Sequence, residues 1–489
     1  MEDIMITSKK MSDTFEVRGI WSKSLNELDK GISGILKYSS DKITLELIGK
    51  ISSGEIDLGV ESDENFDGSI YGVTVKGEYI TLYDCFCSKS TMHFPGIEVE
   101  SYVVNSLLVG GLHNKKELVF KESSVYFSNL VEWLGRPLAK QNMHEHMKLS
   151  YEIDRNEMNN NLMVINIPEE GITIKEGYKM TTSYNLDRID ISSDRCLSFT
   201  TCESETLEKQ LDNIQKVRKL ISFLMNGSVY IEKINIISSE LKDYEGKSYN
   251  KNHKFSYFFN QRVECEEIKC HEQLLTYKDV KKDIEFIFNQ WFKVYENICE
   301  AYDLICDYEY KKSYNENVFL NYARSIEVLH RNLMEDIENS SRDASIEQNC
   351  EDIINYINTN IDEKNRKYFI DRVLYQAETA FFKRVEYSCK NIDDYILEDL
   401  IKSPKKSLRK SISSFSTKVS KTRNYLTHKD SKRYADSAVI KEPINQMVVA
   451  YKIKIIVIIL IGKYIGIDEV KMSKKLKNSK TYRTAKIKI

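Results

Sequence analysis

The first half of the chain alternates apolar and polar positions with the two-residue period of a half-buried strand. Ile43, Leu45 and Leu47 are separated by Thr44 and Glu46, so their side chains fall on one face. Residues 15–21 have the same character. Residues 70–75 and 79–85 flank Lys76, Gly77 and Glu78, which predicts a hairpin. Further strands are expected at 97–104, 118–120, 163–167, 172–174, 188–191 and 227–238. Short strands at this spacing predict an antiparallel sandwich or a curled sheet. One helix interrupts them. Leu207, Leu211, Ile214, Val217, Ile221 and Leu224 form a single stripe, with Ser204 as the expected cap and Gly227 as the stop.

The period changes to 3.6 after about residue 277. Ile284, Ile287, Phe288, Trp291, Tyr295, Ile298, Tyr302 and Ile305 recur at helical spacing over 283–308. Ser313 and Glu316 have the spacing of a capping box. They precede Phe319, Tyr322, Ile326, Leu329 and Leu333. More helices are expected at 367–389, 413–428 and 435–464, with a polar loop at 335–348. The polar stretch 240–254 reads as a boundary or exposed loop. The expected organisation is α+β and multidomain. It comprises a β-rich antiparallel domain over 1–245, a connecting segment over 246–276 and an all-α bundle over 277–489. The most apolar stretch, 453–465, is interrupted by Lys454 and Lys463. Its unbroken part, 455–462, is far too short to span a bilayer and reads as a buried helix. Residues 1–10 contain acids and no long apolar run, so no targeting signal is expected there. Location in the cytoplasm, without membrane association, is the expectation.

Composition adds little until charge is mapped by position. The formal net charge is −3 over 489 residues, which selects no class of partner. Residues 402–433, however, hold eleven Lys and Arg against a single acid, Asp430. Residues 471–489 hold eight basic side chains and no acid, whereas 336–399 is acid-rich. A basic segment in a near-neutral chain is a local site for a polyanion. The ten cysteines form no framework. Cys85 and Cys87 are too close to act as a metal pair, and Cys265, Cys270 and His271 lack a second half. All ten are expected to be reduced and mostly in the core. His144, Glu145 and His146 are expected in a loop, and neither a metal nor a cofactor is expected.

Within the basic segment stands Arg423-Asn424-Tyr425-Leu426-Thr427-His428. An imidazole moves a proton off a 2′-hydroxyl near neutral pH, and a guanidinium grips phosphate with paired hydrogen bonds. On the helix 413–428, Phe415, Val419 and Leu426 form the apolar stripe, with Thr422 near it. Asn424 and His428, four residues apart, are neighbours on the surface. Arg423 lies about 140° around the helix from His428. The reach of the Arg side chain, a helix end at His428, or a second copy of the chain facing the first could unite them. Tyr425 could stack on a base but is better explained by packing.

Arg423-Asn424-x3-His428, late in a helical domain, resembles the R-x(4–6)-H signature of HEPN ribonucleases. Residues 317–331 carry Glu327, His330 and Arg331 in an E-x-x-H-R pattern similar to an early helix of the Apea-like HEPN subfamily. The strand-rich opening, including 15–21, 31–36 and 43–49, also resembles that family's companion domain. The resemblance implies a bacterial anti-phage protein that halts growth by metal-independent endonucleolytic cleavage of RNA, acting as a homodimer or higher homo-oligomer. It makes Arg423, Asn424 and His428 the catalytic candidates and Glu327 a secondary one. An ion-pair ladder of Arg324, Glu327 and Arg331 explains Glu327 equally well, and His330 reads as a core-edge residue. Lys418, Lys421, Lys429, Lys432 and Arg433 would attract the RNA backbone. The β-rich half would sense a phage-derived trigger or restrain the nuclease; a passive scaffold is the plainer reading. The alternatives for the whole are a non-catalytic HEPN module binding RNA or nucleotide, or a dimerisation module.

Overall fold

A computed structural model describes residues 5–51, 68–92, 94–143, 149–244, 247–263, 267–311, 315–334, 344–377, 379–429 and 438–487. The chain divides into two compact units, Met1–Phe288 and Asn289–Ile489.

The first unit is built on β1 (Phe15–Ser22), β2 (Ile32–Tyr38), β3 (Ile43–Ile48), β4 (Ile70–Thr74), β5 (Tyr79–Tyr83), β6 (Phe86–Thr91), β7 (Val99–Val104) and β8 (Ser106–Val109). These are followed by β9 (Val119–Phe127), the small hairpin β10 (Lys140–Met143) and β11 (Leu149–Glu152), and β12 (Val164–Ile167). The last four are β13 (Ile172–Tyr184), β14 (Ile189–Thr206), β15 (Ile231–Tyr244) and β16 (Lys247–Phe259). All but β10 and β11 join one sheet in the order β12-β13-β14-β9-β15-β16-β8-β5-β4-β1-β2-β3-β7-β6. The expected antiparallel pairing is present, but as one hydrogen-bonded series rather than as two separate sheets. The hairpin around Gly77 forms as predicted, with Ile70 opposite Leu82. Alternation along β3 puts Ile43, Leu45 and Leu47 in the core. Trp21, also buried, lies opposite Gly72 on β4. A Cβ at Gly72 would come within 2.2 Å of the indole, so the ring occupies the space that a side chain would need.

Several boundaries differ from expectation. The presumed connecting segment 246–276 contains β16, which pairs with β15 from Ile234↔Tyr257 to Tyr244↔Lys247. Polar side chains hide such a strand, because backbone pairing holds a hairpin extension without apolar alternation. The same reason makes β13 and β14 much longer than 172–174 and 188–191: residues 181–192 at their joined ends are exposed. The central helix is Leu207–Met225, capped by Thr206 through its hydroxyl, while Ser204 lies within β14. Asn226 takes the left-handed conformation at its end, with Gly227 following and donating to Ser222 O. The expected stripe is buried except for Leu211, which is half-buried.

The second unit is helical. The chain passes into it along Ile284–Lys311, whose predicted apolar positions are all buried. Asn315–Leu333 packs on Pro443–Tyr464, on Phe381–Lys390 and on Leu408–His428. Pro443 sits at the first helical position, so that helix starts there rather than at 435. The helix Ala344–Asn360 begins within the polar region 335–348 that was expected to be a loop. The single helix expected at 367–389 is two, Glu363–Ala377 and Phe381–Lys390, with Ala380 in an extended conformation between them. Pro443–Tyr464 is long and apolar enough to cross a membrane, yet 72% of its most apolar window is buried inside the protein. That burial makes it the core helix of the unit. Ser313, Cys265 and the 144–146 triplet lie outside the described residues. The other nine cysteines are all free thiols, but only Cys85, Cys196, Cys306 and Cys389 are buried, so most are not in the core.

Candidate active site

The motif lies at the end of Leu408–His428, a helix capped at its start by Ser407, whose hydroxyl accepts from the Lys410 N–H. Phe415, Val419, Thr422 and Leu426 are buried on one face, so the predicted stripe holds. The Thr422 hydroxyl accepts from the Ile440 N–H at 3.0 Å, which ties the motif helix to the segment before Pro443. Lys429 adopts a left-handed conformation and its N–H donates to Tyr425 O. The helix therefore ends immediately after His428, one of the three devices that could unite Arg423 and His428.

Arg423 is held from three sides. Its Nη2 donates to Glu327 Oε2 at 3.1 Å, and its Nη1 donates to Asn424 Oδ1 at 3.3 Å. Its guanidinium lies 5.2 Å from the centroid of the Phe381 ring, a cation–π distance. The Arg423 side chain keeps 35% of its exposure while Glu327 keeps 18%. The guanidinium is thus fixed in direction but still reachable.

Glu327 also accepts from Arg331 at 3.3 Å. The predicted ladder is therefore only half formed, because Arg324 pairs with Glu300 at 2.7 Å instead. Glu327 serves both readings at once: it belongs to a helix-surface pair and it anchors Arg423. A cavity of about 600 Å³ opens here. Arg324, Arg331 and Arg423 line it together with Glu300, Glu327, Asn321, Asn332 and Thr427. Three guanidiniums against two carboxylates leave a small positive excess, and the two amides add hydrogen-bonding capacity suited to phosphate and ribose oxygens.

His428 is exposed and is not among the residues lining that cavity. Within one chain the cavity is thus lined by Arg423 and not by His428, in keeping with their angular separation on the helix. Asn424 and Tyr425 are half-buried. His330 is fully buried rather than at the core edge. Its Nδ1 lies 3.4 Å from Arg384 Nη1, and its ring packs edge-on against Tyr387.

Of the basic residues, Lys418 is exposed and Lys421 half-buried. Lys429 is exposed but bonded to Glu316 at 2.6 Å, which offsets its charge, and it lies 5.8 Å from the Tyr425 ring centroid. Lys432 and Arg433 lie outside the described residues. Lys452, not anticipated from sequence, is held below the ordinary lysine range by burial and secondarily by the charge of Lys418. Phe381, Glu300, Asn321 and Asn332 were equally invisible. None carries a local motif: helix packing alone brings Glu300, Asn321 and Asn332 to the cavity and the Phe381 ring to Arg423.

Two family models match the chain in succession: ApeA N-terminal domain 1 over residues 16–291 and Apea-like HEPN over residues 320–471. No curated protein and no solved structure matches it. The second match contains both Glu327 and the motif helix, and the first alone covers more than half of the 489 residues. The chain belongs to the ApeA family, with an Apea-like HEPN domain following its β-rich N-terminal domain.

Proposed function

We propose that the protein is a metal-independent endoribonuclease of anti-phage defence, which stops growth of the infected cell by cutting RNA. The observation that carries this reading is the Arg423 guanidinium, aimed by Glu327 and Phe381 within an arginine-lined cavity of a HEPN domain. HEPN domains are commonly associated with ribonucleases.

In the proposed reaction His428 removes the proton from a ribose 2′-hydroxyl. The 2′-oxygen forms a bond to the adjacent phosphorus, and the bond from phosphorus to the 5′-oxygen breaks. The imidazolium formed in that step returns the proton to the departing 5′-oxygen. Arg423 stabilises the charge that accumulates on the phosphoryl oxygens, and Asn424 keeps Arg423 oriented. The products are a 2′,3′-cyclic phosphate and a 5′-hydroxyl. DNA, lacking the nucleophile, is inert. Because His428 stands outside the cavity of its own chain, the reading requires a homodimer in which Arg423 of one copy meets His428 of the other. Lys418 and Lys421 attract the backbone, joined by Lys452, Lys429 and, by sequence position, Lys432 and Arg433. The β-rich domain restrains the nuclease until a phage-derived signal is present.

The placement of His428 away from the cavity also favours a second reading, in which the domain binds RNA without cutting it. Incubation of the purified protein with mixed RNA in EDTA separates the two. Cleavage that persists in EDTA and is lost in Arg423→Ala and His428→Ala supports the nuclease. Retained binding with intact RNA, also in extracts of infected cells, supports the binding module.

A further inference from the structure

The N-terminal unit contains a second cavity of about 600 Å³, and its floor is unusually charged for a sheet surface. Strand register places its side chains. Lys179 on β13 lies opposite Asp194 on β14. Lys233 and Asn235 on β15 lie opposite Tyr126 and Ser124 on β9. Lys254 on β16 lies opposite Ile237, two positions beyond Asn235. Directly opposed residues share a face, as do alternate residues on one strand. Lys179, Asp194, Tyr126, Lys233 and Lys254 therefore project from the same face of adjoining strands into one cavity.

The acids of the lining do not pair directly with these three lysines. Glu232 is taken by Lys10 at 2.7 Å. Among the described residues, Lys179, Lys233 and Lys254 have no carboxylate within salt-bridge reach. Lys233 is half-buried and donates to a backbone carbonyl, Thr7 O, at 2.6 Å. Burial, then the charges of Lys254 and Lys179, push Lys233 below the ordinary lysine range, against the opposing pull of Asp194. Asp194, Glu132 and Glu267 also line the cavity, but none of them reaches the three lysines as a salt bridge, so the lysines repel each other and a multiply charged anion seated among them would relieve that cost. The volume lies in the range of small-molecule sites, and Tyr126 and Tyr230 offer aromatic surface along its wall.

We infer that this cavity is a binding site for a phosphorylated small molecule of nucleotide size, with Lys179, Lys233 and Lys254 receiving the phosphates. The site lies wholly in the β-rich unit and stands independently of the nuclease reading. The test is calorimetric titration of the full-length protein with ATP, with inorganic triphosphate and with adenosine. ATP or triphosphate binds saturably, and adenosine does not. Binding of ATP alone identifies a nucleotide, and comparable binding of both identifies the phosphate chain as the recognised part. Lys233→Gln and Lys254→Gln each weaken binding about tenfold or more, and raising the salt weakens it further. Absence of saturable binding by both phosphorylated probes overturns the inference. So does adenosine binding as tightly as ATP, or affinity that falls in Arg423→Ala and not in the two lysine variants.

Discussion

Arg423 is the residue on which the functional reading turns, and its neighbours set what substitutions should do. Glu327 accepts from the Arg423 guanidinium, and on the proposed reading it acts through Arg423. Glu327→Gln should therefore reduce the cleavage rate by about ten- to a hundredfold, the scale of a misplaced catalytic group, while leaving RNA affinity little changed. Single-turnover kinetics beside a binding assay check this; equal losses in rate and affinity would instead make Glu327 part of the binding surface. Arg423→Lys should not restore activity, because an ammonium lacks the planar fork that spans Glu327 and a phosphate. The motif and its helical stripe were legible because they are local: Phe415, Val419, Thr422 and Leu426 repeat at helical spacing and are buried as expected. The Glu327–Arg423 contact joins residues 96 positions apart, and the ring of Phe381 arrives from a third helix. No periodicity encodes either. The ladder prediction failed at Arg324 for a related reason, since Glu300 on a neighbouring helix offered a shorter pairing.

At the scale of elements, apolar period was a reliable guide and polar composition was not. Strand β3 and the helix Leu207–Met225 carry one wet and one dry face, so their patterns appear in the sequence. The outer ends of β13 and β14 pair through the backbone while exposed, so no dry face marked them as strand; β16 falls in the stretch read as boundary or linker, and Ala344–Asn360 begins within the stretch read as loop. The helix Pro443–Tyr464 tests the distinction between core and membrane. Ile459 is fully buried, and Ile459→Ala should cost about 2–5 kcal/mol, measurable by denaturant unfolding; a change below about 0.5 kcal/mol would show that the site is not packed core. A second prediction concerns the last turns of the chain. Burial alone would raise the Asp399 carboxyl, but hydrogen bonds from Lys486 and Tyr482, together with the charges of Lys486 and Lys477, hold it below the usual range. A lowered folded-state value means that the unfolded chain binds this proton more readily. The stabilisation is present above the ordinary carboxylate value of about 4 and fades as pH falls through the folded value. Asp399→Asn should thus be less stable than the parent at pH 7 and converge with it in strong acid. A gap that stayed constant with pH would assign the effect to geometry rather than charge.

At the scale of the whole molecule, the division into a β-rich and a helical part was legible because the hydrophobic period itself changes from two to 3.6. The place of the division was not: the first compact unit runs to Phe288, past the polar stretch that looked like a linker. Nor does the sequence disclose an assembly: the angular separation of Arg423 and His428 left the reach of the Arg side chain, a helix end at His428 and a second copy all open. That separation is the strongest reason to expect a two-copy site. Co-expression of Arg423→Ala with His428→Ala, each inactive alone, tests it most directly. In mixed dimers one of the two sites regains an intact Arg423 from one copy and an intact His428 from the other. Random pairing should then restore about a quarter of wild-type RNA cleavage. Mixed dimers that form and yet cut no RNA, beside a wild-type protein that does, would contradict a site shared between copies.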